Sequence, residues 1–264
     1  MKAMILAAGE GTRLRPLTDT CPKPMLPIHG KPLLAHTLVW LRRYGVDEVA
    51  INLHHLPQAI TDHFGDGSDF GVAITYSYEP ELLGTAGAVK RLGDYFDGTF
   101  FVVYGDVLTD LDLMAMYGCH RARRSVATLA LHRVADPSGK GVVAVDDEYN
   151  IQRFVEKPAP GEVFSDLVNS GVYVLEPVVL DYIPEGKASD FGRDVFPKML
   201  ADGARLGGCL LAEGTRLVDI GTMEAYDRAC RDLGITRITD HGEPASGRPG
   251  QSTICFCQLE FGIS

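Results

Sequence analysis

The sequence predicts an α/β protein with a parallel sheet covered by helices on both faces. Three observations carry that expectation. Through the first half of the chain, short apolar runs alternate with segments of helical apolar spacing. A glycine-rich turn follows the first apolar run directly, which is where α/β sheets place phosphate groups. The second half is richer in strands, yet no proline- or serine-rich linker divides it from the first, so it continues the same body.

Taken in order, KAMILAA reads as the first strand. Residues 32–45, PLLAHTLVWLRRYG, have helical spacing with proline at the start and glycine at the stop. DEVAINL is a second strand, LPQAITDHFG a short helix and VAITYSY a third strand. GTAGAVKRLGDYF, residues 84–96, is a helix, TFFVVYG a fourth strand, and residues 112–123 a further helix. SVATLALHRV, GVVAVDD, NIQRFVE and VNSGVYVLE then read as strands. Helices over 192–201 and 222–234 follow, with ARLGGCLLAE and TRLVDIG between them. Residues 239–264 are turn-rich and then apolar, compatible with a docking strand or with a loose tail.

The chain has 264 residues, 45% hydrophobic and 23% charged, in the range of water-soluble globular proteins. No apolar run approaches the ~20 residues of a membrane span. The first run reads as a strand rather than a leader, and a cytoplasmic location is the expectation. The six cysteines are scattered, as in reduced intracellular proteins. A net charge of −10 speaks against broad binding to nucleic acid or membranes. Such a chain still binds a polyphosphate through a local cationic pocket or a metal.

LAAGEGTRLRPLTDTCPKPMLP, residues 6–27, has that local character. Gly9 and Gly11 let the backbone approach an anion, and Arg13, Arg15 and Lys23 bring positive charge. The loop lacks the third glycine of a dinucleotide fingerprint and the GKS/T of a P-loop. Pro22 and Pro24 restrict the backbone around Lys23 and aim one cation in a set direction.

This stretch resembles the signature of the sugar-1-phosphate nucleotidylyltransferases, the NDP-sugar pyrophosphorylases. The likeness continues in order through LLGTAGAV (82–89), YGDV (104–107), FVEKP (154–158), NSGVYV (169–174) and VDIGT (218–222), and covers about residues 1–235. It implies a Rossmann-like αβα sandwich with a mixed, mainly parallel central sheet. The expected domain spans 1–238, a nucleotide half to about residue 110 and a sugar-phosphate half from 111. No hexapeptide periodicity of the C-terminal β-helix found in many members is visible, and assembly as a homo-oligomer stays open.

In the implied reaction a sugar-1-phosphate oxygen attacks the α-phosphorus of an NTP and pyrophosphate leaves. The nucleophile is already ionised, so charge repulsion and in-line geometry are the obstacles. The resemblance assigns catalysis to Arg13, Lys23 and Asp106, and nucleotide binding to Ala8, Gly9, Gly11, Thr12, Gly84 and Thr85 together with Glu79. Gly141, Glu156, Lys157 and Asn169 are the expected sugar-phosphate residues. Asp106 and Asp219 are the expected ligands of Mg2+, since a hard cation takes carboxylate, water and phosphate oxygens.

Glu79 stands where the family meets the base edge. A carboxylate accepts the paired N–H donors of guanine and repels the carbonyls of uracil and thymine, which favours GTP. Alternatively, Glu79 points away and backbone groups around Leu83 and Gly84 read the base. Mannose-1-phosphate is the default sugar. The rival readings are a UTP- or dTTP-dependent glucose-1-phosphate enzyme and a non-catalytic nucleotide-sugar-binding regulator.

Overall fold

The computed structural model describes residues 1–159 and 161–232. In the first half, β1 (Lys2–Leu6) leads into the glycine-rich loop, which holds the single turn α1 (Leu17–Thr20) and a small hairpin of β2 (Pro27–Ile28) and β3 (Lys31–Pro32). There follow α2 (Leu33–Arg43), β4 (Glu48–Leu53), α3 (Pro57–Phe64), β5 (Ala73–Tyr78), α4 (Gly84–Arg91), β6 (Phe100–Tyr104), β7 (Val107–Thr109) and α5 (Leu113–Arg123). The remainder contributes β8 (Ala127–Arg133), β9 (Gly141–Val145), β10 (Ile151–Glu156), β11 (Leu167–Leu175), α6 (Phe196–Ala201), β12 (Leu206–Leu210), β13 (Leu217–Asp219) and α7 (Met223–Asp232).

Nine of these strands form one sheet. Its path runs β10-β9-β11-β6-β1-β4-β5, with β8 pairing β11 and β12 pairing β8. β5, β4, β1 and β6 are parallel to one another. β11 enters antiparallel to β6 and turns the sheet mixed. After β1 the chain builds outward to β4 and β5, and then returns to place β6 on the other side of β1. That reversal opens a crevice beyond the carboxyl ends of β1 and β6, the position where open α/β sheets bind ligands.

Both faces of the sheet are buried, and period-two alternation sorts the side chains. Ala3 and Ile5 of β1 face one cluster with Val49, Ile51, Phe101, Val103 and Val172, covered by α2, α3 and α5. Met4 faces the opposite cluster with Ala50, Phe100, Val102, Tyr173 and Phe196, covered by α4 and α6. This is the αβα sandwich that the sequence leads one to expect. A third, smaller cluster joins Leu14, Leu26 and Ile28 of the cationic loop to Ile220, Tyr226 and Ala229 beside α7. The loop is thereby anchored to the far end of the described chain.

Two helices differ from expectation. The segment 84–96 ends its α-helix at Arg91, and Gly93–Tyr95 forms a separate 3-10 turn. Glycine at 93 weakens continuation of the helix. The segment 192–201 opens with a π-turn, Phe191–Val195, before α6. Asp190 caps that turn by accepting from the Gly192 and Arg193 amides. Pro197, within the first turn of α6, has no amide to donate to the turn before it. The expected helix 222–234 is seen as Met223–Asp232, and the segment 239–264 lies outside the described residues. Among the described residues, no helix is long and apolar enough to cross a membrane.

His132 on β8 accepts or donates a 2.8 Å hydrogen bond with Ser170 Oγ on β11. Burial, with a smaller contribution from Lys140, pushes its pKa down to about 4. The unfolded chain takes up this proton near pH 6.5 and the folded chain only near 4, so stability falls as pH drops through that window. After discounting for solvent screening, the loss is about 1–2 kcal/mol. Urea unfolding at a series of pH values should show this slope, and His132→Gln should flatten it. Equal slopes in both proteins would contradict the assignment.

Candidate active site

The loop after β1 and the loop after β6 meet at the crevice. Gly105 N–H donates to Leu6 O at 2.9 Å, which locks the two strand ends together. Gly11 adopts a left-handed conformation (φ 66°) that glycine takes without strain, and its carbonyl accepts from Thr18 Oγ1 at 2.8 Å. The chain then folds back through Arg13 and, after α1, reaches Lys23. A cavity of about 360 Å³ results, lined in part by Ala8, Gly11, Arg13, Lys23, Thr85 and Asp106. Gly9, Thr12, Glu79 and Gly84 also belong to its wall.

Asp106 and Asp219, far apart in sequence, are brought side by side by a two-stranded ribbon. β13 pairs antiparallel with β7, setting Asp219 opposite Val107, and Ile220 N–H donates to Asp106 O at 2.9 Å. Lys23 Nζ lies 2.6 Å from Asp106 Oδ2. The Arg13 guanidinium comes close to Gly221: a Cβ built on that glycine would lie 3.1 Å from it and 2.9 Å from Asp219 Oδ1. Two carboxylates and two cations therefore share one small volume. The Asp219 carboxyl is held above its ordinary pKa, first by loss of surrounding water and then by the like charge of Asp106. Lys23, Lys140 and Arg13 oppose this.

A divalent metal fits this donor set. Asp106 and Asp219 supply hard oxygen donors, and their mutual repulsion is what a cation between them would relieve. No cluster of three or more His, Cys, Asp or Glu suited to a metal occurs among the described residues. The remaining positions around such an ion would fall to water and ligand oxygens.

Outside the wall of that cavity, a second group gathers around Glu156. A Cβ on Gly141 would lie 2.7 Å from Glu156 Oε2 and 3.3 Å from Asn169 Cβ, and one on Gly192 would also lie 2.7 Å from Glu156 Oε2. The bare glycines make the room that this carboxylate occupies. Burial raises the Glu156 pKa, Asp190 raises it further, and Lys157 and Arg193 pull it down. Asn169 Nδ2 donates to Tyr173 Oη at 2.7 Å, and its carbonyl accepts from Gly171 N–H. Lys157 itself is exposed on a turn, where its amide donates to Lys140 O at 3.0 Å. Like Gly141, Glu156 and Asn169, it stands outside the wall of the 360 Å³ cavity.

Glu79 departs from the picture of an acceptor offered to a base. It is 0% exposed. Asn52 Nδ2 donates to one carboxylate oxygen and Leu83 N–H to the other, both at 2.9 Å. The carboxylate forms part of the cavity wall, with each of its oxygens bonded to a donor of the protein. Arg15 is likewise turned away from the crevice, toward Asp19 at 3.2 Å.

Several groups at the site were not singled out in the sequence. Asn52 lines the cavity, and its signal was a lone amide at the end of the apolar run DEVAINL. Asp190 accepts from Thr85 Oγ1 at 2.9 Å, joining the first turn of α4 to the cap of the π-turn. Lys140, next to Gly141, is half-buried, and its ammonium has no hydrogen bond or ion pair with another described residue.

The loop over the cavity is docked on Ser189. Leu83 O accepts from Ser189 N–H, and Ser189 O accepts from Ala86 and Gly87 in the first turn of α4. Gly84 has φ 72°, and a Cβ there would lie 2.5 Å from Ser189 O, a backbone atom that cannot swing aside. Gly84→Ala should therefore cost at least about 2 kcal/mol in urea unfolding. An unchanged midpoint would contradict this account of the loop.

The model of the nucleotidyl transferase family matches residues 2–234. The chain is 43% identical over 268 aligned residues to a UTP–glucose-1-phosphate uridylyltransferase of Synechocystis sp., covering 96% of this chain and 69% of that protein. It is 40% identical to the mannose-1-phosphate guanylyltransferase of Mycobacterium tuberculosis, covering 88% of this chain and 64% of that one. The chain thus spans about two thirds of the length of these relatives. Among solved structures, a putative glucose-1-phosphate thymidylyltransferase from Bacillus anthracis superposes with a TM-score of 0.79 at 25% identity, over 88% of this chain and 95% of that one. The chain belongs to the nucleotidyl transferase family, in the company of enzymes that act on sugar-1-phosphates.

Proposed function

We propose that this protein transfers a nucleotidyl group from an NTP to a sugar-1-phosphate, releasing pyrophosphate, with GTP and mannose-1-phosphate as its substrates. The observation that carries the reaction is the meeting of Arg13, Lys23 and Asp106 on one cavity wall, with Asp219 beside them next to Gly221. Such a set counters the charge of a triphosphate and needs no covalent nucleophile. The guanylyltransferase relative supports the choice of base and sugar. The uridylyltransferase relative supports a second reading, UTP with glucose-1-phosphate. Glu79 supports neither, because its carboxylate is spent inside the protein.

In this reading the backbone of Ala8–Gly11 approaches the triphosphate. Arg13 forks onto its oxygens, and Lys23 acts as a point charge that Asp106 keeps in place before substrate arrives. Asp106 and Asp219 hold Mg2+, which supplies charge neutralisation and alignment of the phosphates. Glu156 and Asn169 hold the sugar through its hydroxyls. Lys157 and Lys140 bring positive charge to the phosphate of the incoming sugar. One oxygen of that phosphate attacks the α-phosphorus in line with the departing pyrophosphate.

Pyrophosphate release should be measured with GTP, UTP and dTTP against mannose- and glucose-1-phosphate. The expected result is turnover highest with GTP and mannose-1-phosphate, abolished by EDTA and restored by Mg2+. Turnover undiminished by EDTA contradicts the metal, and preference for UTP with glucose-1-phosphate selects the second reading. Absence of turnover with bound nucleotide-sugar would leave a regulatory binder instead. Lys23→Ala should lower kcat by about 10²–10³-fold with the fold retained. Near-normal turnover would remove Lys23 from the mechanism.

A further inference from the structure

Within the cavity wall, one line of hydrogen bonds crosses the carboxyl ends of three strands. Ala7 N–H donates to Asn52 Oδ1 at 2.8 Å. Asn52 Nδ2 donates to Glu79 Oε1 at 2.9 Å. Leu83 N–H donates to Glu79 Oε2 at 2.9 Å. Asn52 is 4% exposed and Glu79 0%. The ends of the line lie in the two loops that frame the cavity: Ala7 opens the glycine-rich loop, and Leu83 precedes Gly84.

The order of groups in this line is fixed by chemistry. Both ends are main-chain donors, which no substitution there short of proline alters. Two side chains between two donors must therefore present an acceptor at each end and one donor–acceptor contact in the middle. An amide and a carboxylate meet that demand, because the amide carries one acceptor and one donor face and the carboxylate accepts on both oxygens. The main chain holds the carboxylate in place as well. Glu79 N–H donates to Leu53 O at 2.8 Å, and the His54 ring is hydrogen-bonded to Glu79 O at 2.7 Å.

We propose that Asn52 and Glu79 are positioning residues that hold the glycine-rich loop and the 82–85 loop at a fixed separation, and so set affinity for the nucleotide as a class rather than the choice among bases. This rests on the reading of the cavity as a nucleotide site. Neither side chain needs to touch the ligand. The base is then left to groups on the open side of the 82–85 loop, where Leu82 is 43% exposed.

The test is equilibrium binding of GTP, UTP and dTTP to the full chain by calorimetry, in wild type, Glu79→Gln, Asn52→Asp and the double variant. KM for the sugar phosphate is measured in parallel. Glu79→Gln sets one N–H against another, and Asn52→Asp sets two carboxylates against each other. Each single change should weaken all three nucleotides by about tenfold or more, with their ratios unchanged and the sugar-phosphate KM held. The double variant reverses the middle contact: the new carboxylate accepts from Ala7 and from the new amide, whose carbonyl accepts from Leu83. Every donor again meets an acceptor at the same net charge, so most of the loss should be recovered.

A double variant no better than the singles, in folding or in binding, overturns the proposal. A changed GTP-to-UTP ratio in Glu79→Gln also overturns it, because the carboxylate would then touch the base. An equal loss of sugar-phosphate affinity overturns it by revealing a general disturbance. Wild type that binds none of the three nucleotides overturns the nucleotide reading itself, and the proposal with it.

Discussion

Pairing of β13 with β7 is the contact on which the site depends. The ribbon sets the carboxylate of Asp219 beside that of Asp106, against their mutual repulsion. The arrangement holds because cations close it. Lys23 contacts Asp106 at 2.6 Å, with their side chains only 11% and 28% exposed, and Arg13 approaches Asp219 by way of Gly221. Removing one partner of a buried ion pair costs about 3–5 kcal/mol, and this half-buried pair falls toward the lower end. The same contacts pull the cationic loop down onto the sheet, and the small cluster of Leu14, Leu26 and Ile28 with Ile220 and Tyr226 keeps it there. Electrostatics of the site and packing of the loop are one construction.

The sheet divides the labour. Its parallel half ends in the loops that frame the crevice, as the strand-order reversal at β1 and β6 requires. Its antiparallel half brings Gly141, Glu156 and Asn169 together. β6 and β11 are the seam, with Tyr104 on one and Tyr173 on the other packed edge to face at 5.7 Å. The Thr85–Asp190 hydrogen bond bridges the halves a second time. Two substrates entering from the two sides would meet over Asp106, at the end of the central strand.

The order of strands and helices was legible because period-two and helical apolar patterns decide which faces are buried, and burial of both faces decides the layers. The cationic loop was legible because Gly11 permits a left-handed turn and the prolines around Lys23 restrict the backbone before any tertiary contact forms. Three features were not. β7 and β13 are three residues each, too short to show a pattern, and they exist because each finds the other across the chain. The π-turn at Phe191–Val195 follows from where Asp190 caps and where Pro197 withholds an amide. The direction of Glu79 depends on Asn52, 27 residues away, and on the Leu83 amide, neither of which a local pattern reveals. Residue identity at 79 was informative and its orientation was not.

The reaction proposed above is a single direct displacement at the α-phosphorus, aligned by fixed charges with no covalent nucleophile from the protein. The stereochemical course at that phosphorus tests it most directly, using an NTP made chiral at the α-position by sulfur substitution. One in-line attack by the sugar phosphate inverts the configuration, so inversion is expected in the nucleotide-sugar product. Retention would require two successive displacements through a nucleotidylated side chain, and would contradict it.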